Sequence, residues 1–360
     1  MSLDHYLTLG RSGLRVSPLA LGAMTFGSDP GGAGCSVEDS EAMVTAYLEL
    51  GGNFIDTANF YTNGHSEKIL GDYFTQRPGR REHVVLASKF FANMYPGDPN
   101  GGGAGRSSII AQLDQTLRRL NTDYLDLYWL HNWDRHTPIE ETMRTLDDLV
   151  RAGKIRYIGF SNTPAWVTAT AHTTALLKDW TPLIALQVEY SLLERTVEGE
   201  IAPLATDRDI ALVPWSPLKN GFLSGKYRRG TDVTDSARAA FVGGPTDAQF
   251  EVIEAVATVA EKIGAKPSAV ALAWLRARQG TVVPIVGARR LSQLTDNIAG
   301  LDVTLSPQDL AVLDAVSAPT LNYPAPMHGA QRAMLQFAGA TVDGQPSDVY
   351  PPLLASDVRY

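Results

Sequence analysis

Eight short apolar runs punctuate the chain, and they constrain its fold more than any other feature. They are Leu19–Met24, Asn53–Asp56, Val84–Lys89, Leu125–His131, Ile155–Ser161, Leu183–Glu189, Ala211–Ser216 and Thr281–Gly287. Each is followed by a loop and mostly by a stretch with helical spacing. The runs lack the alternation of a sheet with one wet face. They suit parallel strands covered on both sides. Eight strands alternating with helices is the count of a (β/α)8 TIM barrel, which typically takes about 250 residues. The chain has 360, and the surplus has identifiable places. Tyr6–Val16 reads as an N-terminal β-hairpin turning at Arg11-Ser12-Gly13, able to plug the barrel bottom. Asn93–Arg106 and Pro217–Pro245 read as long Gly/Pro-rich loops. Residues 318–360 have weak periodicity and read as an irregular C-terminal extension. No repeat or domain boundary is visible. We therefore expect a single domain over residues 1–360, with the barrel at about 17–317.

The stretches between the runs carry helix signals. Thr137-Pro138-Ile139-Glu140 offers an N-cap, a proline at the first helical position and a Glu to complete a capping box. Thr163-Pro164 and Ser306-Pro307 repeat the N-cap and proline. Ile109, Ile110, Leu113, Leu117 and Leu120 form an apolar stripe at helical spacing, as do Met43, Ala46, Tyr47 and Leu50. The Gly51-Gly52 pair reads as a helix stop ahead of the second run.

Composition excludes several classes of partner. The net charge is −8, and no basic run exceeds a pair or so, which argues against nucleic acid. No apolar run reaches membrane-spanning length, and the N-terminus has no signal-peptide pattern. The only cysteine, Cys35, rules out an intrachain disulfide and fits a cytoplasmic location. It stands in a Gly-rich loop without a nearby His and reads as incidental.

In barrels of this kind the working residues come from the C-terminal ends of strands and the loops after them. Here the second run ends at Asp56, the third at Lys89 and the fourth at His131, with Tyr61 in the loop after Asp56. Any one alone would pass for a solvated rim residue, and Asp56 with Tyr61 for a loop cap beside a packed ring. Four converging on one mouth make chemical sense together. A Lys89 cation near Tyr61 would stabilise the phenolate and lower the tyrosine pKa. Asp56 would hold and charge-balance Lys89. His131 could orient a substrate oxygen toward the phenol. This is a proton donor aimed at a carbonyl oxygen, and reduction then needs a hydride source. The seven histidines show no metal-binding spacing, so no metal is expected. No G-x-G-x-x-G, P-loop or Tyr-x-x-x-Lys pattern occurs, and the Gly101–Gly105 stretch reads as a flexible loop.

Seven motifs in order give a resemblance. GGNFIDTANFY carries Asp56 and Tyr61, ASKF carries Lys89, and LYWLHNWD carries His131. RYIGFSN, LQVEYSLL, PWSPLKNGFLSGKY and PIVGARRLSQLTDN follow. From about Leu7 to Leu313 the chain resembles the aldo-keto reductase superfamily, in its aryl-alcohol dehydrogenase-like and potassium-channel β-subunit-like branch. The resemblance implies an extended NADPH (or NADP+) across the barrel mouth. It implies that Trp215 stacks on the nicotinamide and that Ser161, Asn162 and Gln187 hydrogen-bond its carboxamide. Gly22, Ala23 and Met24 at the end of the first run belong to the same cofactor side. Ser216, Pro217, Leu218 and Gly221 would wrap the pyrophosphate, with Lys226 and Arg238 as countercharges. Gly287 and Arg289 ahead of a helix N-terminus suit the 2′-phosphate. Gln293 and Asn297, one turn apart, could read the adenine. Arg290 could share the phosphate or face water.

The implied activity is NADPH-dependent reduction of an aldehyde or ketone to an alcohol, with Tyr61 as general acid and a small carbonyl compound as substrate. The alternative is an NADP-binding regulatory subunit with little turnover. The β-subunit branch tends to carry Asn where this chain has His131. A further alternative is a phosphate-ligand barrel enzyme using Lys89 as a Schiff base. Phe26, Phe60, Tyr95 and Trp133 on loops near the mouth would make an aromatic-tolerant pocket, and the extension could serve the pocket or a homo-oligomer contact.

Overall fold

The computed structural model describes residues 2–27, 34–230, 243–328, 330–355 and 357–358. A short antiparallel pair, β1 (Leu7–Thr8) and β2 (Arg15–Val16), precedes eight parallel strands. These are β3 (Ala20–Gly22), β4 (Phe54–Asp56), β5 (Val85–Phe90), β6 (Leu125–Leu130), β7 (Ile155–Ser161), β8 (Leu183–Glu189), β9 (Ala211–Trp215) and β10 (Ile285–Gly287). They hydrogen-bond in the order β10-β3-β4-β5-β6-β7-β8-β9. All eight apolar runs therefore became strands of one sheet.

The eighth run does two jobs. Its last three residues pair with β3, in register Ile285 with Ala20. Its first three reach the other side: Leu212 on β9 donates to Thr281 O at 2.8 Å and accepts from Val283 N at 2.9 Å. Pro284 sits at the changeover, where a residue without an N–H costs no ladder bond, and its carbonyl still accepts Ala20 N at 2.9 Å. The run thus closes the sheet into a barrel.

The barrel interior is a packed apolar column with Phe54, Ala87, Leu127, Trp129, Ala185 and Val213 among its members. Leu9 and Val16 of the hairpin are fully buried in the same cluster, so the hairpin does plug the bottom. Gly10 makes the close approach: its φ is +57°, and a Cβ there would lie 2.2 Å from Ile184 O. The helices form the outer layer. Among them are α1 (Val37–Glu49), α2 (His65–Thr75), α3 (Arg106–Leu120), α4 (Ile139–Arg151), α5 (Ala165–Leu177) and α6 (Ile201–Asp207). Later come α7 (Asp247–Ile263), α8 (Pro267–Arg276), α9 (Leu291–Ala299) and α10 (Pro307–Val316). The Gly pair ends α1 as expected. Gly51 takes φ +88°, and a Cβ on Gly52 would strike the Tyr47 ring at 2.4 Å.

Several helix details differ from expectation. Thr137 does not cap α4: its hydroxyl donates to Asp134 at 2.7 Å, and the capping position falls on Pro138. Thr163 likewise gives its hydroxyl to Ser161 O at 3.0 Å and does not cap α5. In both places the helix begins one residue later than expected, so the proline takes the cap position and the threonine falls outside it. Ser306 does cap α10, in a capping box with Asp309. In the expected stripes Ile109, Leu113, Leu117, Leu120, Met43 and Tyr47 are buried. Ile110 and Leu50 are exposed, because their positions fall at the edge of the apolar arc. Among its described residues the extension holds only short elements: a 3-10 turn (Ala325–His328), helices α11 (Ala330–Phe337) and α12 (Pro351–Leu354), and a small hairpin, Thr341–Val342 with Gln345–Pro346. Among the described residues no helix is long and apolar enough to cross a membrane.

Candidate active site

The β4 to β6 side of the mouth is built on strand tips. Asp56 ends β4, Lys89 is next to last on β5, and His131 follows β6 directly. Tyr61 opens a 3-10 turn (Tyr61–Gly64) that leads straight into α2, with Thr62 and Asn63 in left-handed conformations. The ladder fixes the neighbours: Asp56 pairs with Ala87, and Lys89 with Trp129. Side chains of alternate residues therefore enter one interior.

Lys89 is fully buried. Its ammonium spends all three protons: on Asp56 Oδ2 at 2.5 Å, Thr57 O at 2.8 Å and Tyr61 OH at 3.0 Å. The second carboxylate oxygen, Asp56 Oδ1, accepts from Gln187 Nε2 at 3.0 Å. His131 stands with its ring centroid 5.9 Å from that of Tyr61, at 81°. Phe60 packs against both rings, at 5.2 Å and 5.3 Å. The structure thus brings together all four of the residues expected to carry the chemistry.

Burial dominates the electrostatics. It lifts the Asp56 carboxyl above the usual carboxylate range, against the pull of Lys89 and Gln187. The Trp129 indole N–H lowers it further without reaching hydrogen-bond geometry. Burial presses the Lys89 ammonium down, but Asp56 and Tyr61 outweigh it and hold it above its ordinary value. One expectation is corrected here. Burial raises the Tyr61 phenol above its ordinary value, and the opposing pull of Lys89 does not overcome it. Tyr61 therefore keeps its proton at neutral pH. His131 is pushed down to about 3, by burial and then by Lys89, so its imidazole is neutral. A buried, thrice-bonded ammonium with a raised pKa is unsuited to forming a Schiff base, which needs a free amine.

Beyond this wall lies a cavity of about 530 Å³. Asp56, Tyr61 and His131 line it, with Lys89 beneath. On the β7 and β8 tips, Ser161, Asn162 and Gln187 line it too. Ser161 Oγ is buried with no partner among the described residues. Asn162, at φ +48°, bridges two elements: it donates to His131 O at 3.0 Å and accepts from Trp215 Nε1 at 3.1 Å. Trp215 ends β9, half-exposed on the cavity wall. The following loop bends back through Ser216, Lys219, Asn220 and Gly221, all at positive φ. Ser216, Pro217, Leu218, Gly221 and Lys226 line the cavity.

At the far end Gly287, Arg289, Gln293 and Asn297 line it ahead of and along α9, and Gln293 Oε1 accepts Arg289 N at 2.9 Å. Gly22 and Met24 are on the lining, whereas Ala23 is buried behind it. Arg290 is exposed and off the lining. Arg238 lies outside the described residues. Phe60 lines the cavity, and Tyr95 is exposed, but Phe26 is fully buried and belongs to the core. Its backbone bridges to that of Cys35.

Sequence reasoning missed Lys266, Ser268 and Asp296, which also line the cavity. Lys266 precedes the N-terminal proline of α8 and pairs with Asp296 of α9 at 2.5 Å. The Lys-Pro-Ser helix start was a usable signal. Thr25 was missed as well, and it donates to Ala288 O at 2.6 Å across the mouth. Among the described residues no cluster of metal-ligating side chains occurs.

Comparison with known proteins places this arrangement. The aldo/keto reductase family profile matches residues 18–318. An uncharacterized oxidoreductase of Bacillus subtilis is 37% identical over 321 residues, 87% of this chain and 95% of the relative. An aryl-alcohol dehydrogenase [NADP(+)] of Phanerodontia chrysosporium is 35% identical over 325 residues, 84% of this chain and 83% of the relative. A norsolorinic acid reductase of Aspergillus flavus is 32% identical over 328 residues, 89% of this chain and 82% of the relative. The barrel, the strand-tip residues and the span of these matches agree: the chain belongs to the aldo/keto reductase family.

Proposed function

We propose that the protein is an NADP-dependent oxidoreductase that reduces an aldehyde or ketone to an alcohol, with Tyr61 as general acid. The observation that carries this is the Lys89 ammonium shared between Asp56 and Tyr61 beside a cavity of dinucleotide size. The names of the fungal relatives, an NADP(+) aryl-alcohol dehydrogenase and a reductase, support the same couple.

The residues fit a nicotinamide dinucleotide. Ser161 Oγ is buried without a partner and lines the cavity, as a group awaiting a ligand's polar atom would be. Asn162 and Gln187 flank it, suited to a carboxamide. Trp215 offers a ring face for stacking. The loop from Ser216 to Gly221 and Lys226 suit a pyrophosphate, and Arg289 ahead of α9 suits a 2′-phosphate. When bound, the reduced nicotinamide supplies the hydride that adds to the carbonyl carbon.

This chain's own groups handle the proton. Tyr61 keeps its phenolic proton at neutral pH because burial raises its pKa. As the carbonyl oxygen gains negative charge, that proton passes to it and completes the alcohol. The phenolate left behind sits 3.0 Å from the Lys89 ammonium, which stabilises it most in the transition state. Asp56 keeps Lys89 charged and in place. The neutral His131 can donate a hydrogen bond to the substrate oxygen without adding charge. Solvent then returns a proton to Tyr61.

The test is oxidation of NADPH, and separately NADH, by the purified protein against aldehydes, ketones, sugars and quinones. At least one carbonyl class should turn over, with NADPH preferred. Tight dinucleotide binding without turnover of any carbonyl would favour a regulatory subunit. No dinucleotide binding at all would end the proposal.

A further inference from the structure

Gln187 occupies an unusual position. It lies on β8, whereas Asp56 lies on β4, four strands away in a ring of eight. Its side chain crosses the barrel to the opposite wall and donates from Nε2 to Asp56 Oδ1 at 3.0 Å. Both residues are 2% exposed. Facing a carboxylate fixes which end of the amide is which, since only the nitrogen can donate. The carbonyl end, Oε1, accepts no hydrogen bond among the described residues, and Gln187 lines the cavity.

We propose that Gln187 is a positioning residue for the Asp56–Lys89–Tyr61 unit, linking ligand occupancy of the cavity to the state of Asp56. The inference rests on the proposed function and adds a second role to a residue placed there against the ligand. Asp56 has two oxygens. Lys89 takes one and Gln187 the other, so the carboxylate is clamped from opposite walls. A ligand N–H on Oε1 polarises the amide and strengthens its donation at the other end. Filling the cavity thereby tightens the clamp on Asp56, which holds Lys89 against Tyr61.

The titratable or charged groups around Asp56 are Lys89 from β5, Tyr61 from the turn after β4, and His131 after β6, which faces Lys89 and stays neutral. Gln187 from β8 is an uncharged donor on the same carboxylate, and the Trp129 indole of β6 lowers its pKa from beyond hydrogen-bond reach. A donor to the ionised carboxylate favours that form. Removing Gln187 therefore makes Asp56 easier to protonate, and activity should begin to fall at a higher pH on the acid side.

Two variants test this, Gln187→Met, which keeps the shape, and Gln187→Glu, which sets a carboxylate against a carboxylate. The first readout is the acid limb of kcat at saturating NADPH. It should move up by about one pH unit in Gln187→Met, the size of one hydrogen bond to a charged group. It should move further in Gln187→Glu. The second readout uses the protein alone: denaturant midpoints against pH, with and without Asp56→Asn. The deficit of Gln187→Met relative to parent should grow as pH rises through the range where Asp56 ionises, and this growth should vanish in the Asp56→Asn background. An unmoved acid limb and a pH-independent deficit, with weakened NADPH affinity, would make Gln187 a ligand contact only and overturn the proposal. Should Tyr61→Phe keep parental activity, the assigned general acid fails instead, while the ligand-free comparison still decides the clamp.

Discussion

The two walls of the cavity are built differently. On the β4 to β6 side Asp56 and Lys89 on strand tips and Tyr61 in the turn after β4 are buried or half-buried and bond to one another, with His131 packed against Tyr61. On the β7 to β10 side Ser161, Gln187 and Trp215 stand on strands and the rest on loops with left-handed residues at 162, 216, 219, 220 and 221, and Lys226 and Lys266 are exposed. Lys219 is tied to Glu189 at 2.7 Å, and Lys266 to Asp296 at 2.5 Å. On the proposed function, the contrast follows from what each wall would do. A proton donor needs a dry, fixed ion pair, and the β-ladder fixes it. A long phosphate-bearing ligand needs turned backbone and charges able to reach it, and strained loops supply both. Changes on the first wall should therefore cost stability and chemistry together, and changes on the second mainly affinity.

The largest expected effect is Lys89→Met. It leaves the Asp56 carboxylate buried without its counter-ion, at a cost of about 3–5 kcal/mol. Chemical denaturation measures it, and adding Asp56→Asn should recover most of the loss. A loss below about 1 kcal/mol for Lys89→Met would break the contrast between the walls.

His131 gives an effect of similar size that depends on pH. Its folded pKa is about 3, below the ordinary 6.5, so the unfolded chain binds the extra proton between those values. Stability from this residue is intact above pH 6.5 and falls by up to about 4 kcal/mol toward pH 3. His131→Gln lacks this titration. Its stability relative to the parent should rise as pH falls through that window, and a flat difference would contradict the neutral imidazole.

On the loop wall, Arg289→Ala should weaken NADPH binding by about 10- to 100-fold, the worth of one charged hydrogen bond, and NADH binding less than about threefold. Equal losses for both would remove the 2′-phosphate role. The smallest effect is expected at Asn220, which takes φ +56°. Asn220→Ala should cost about 1 kcal/mol, while Asn220→Gly should be near neutral, as thermal unfolding would report.

Much of this was legible in the chain. The eight runs became the eight strands because parallel strands buried on both faces need continuous apolar sequence, which is hard to mistake. The meeting of Asp56, Lys89 and His131 at one mouth followed because strand tips fix where a side chain points, with Tyr61 in the turn after the first of them. Three things were not legible. Thr137 and Thr163 look like helix caps, but each helix begins one residue later with the proline at the cap position, and local sequence fixes helix starts only to within a residue or two. The lowering expected for Tyr61 was overturned because its burial depends on the whole mouth. The Gln187–Asp56 bond spans 131 residues of sequence and the full barrel, and no spacing rule reaches that far.

The most direct test of the central claim is the single-turnover rate of carbonyl reduction by Tyr61→Phe against the parent, at saturating NADPH and pH 7. Loss of the proton donor should slow that step by about 10²- to 10⁴-fold while leaving NADPH affinity within about threefold. A Tyr61→Phe protein that reduces the same substrate at the parental rate would contradict the account.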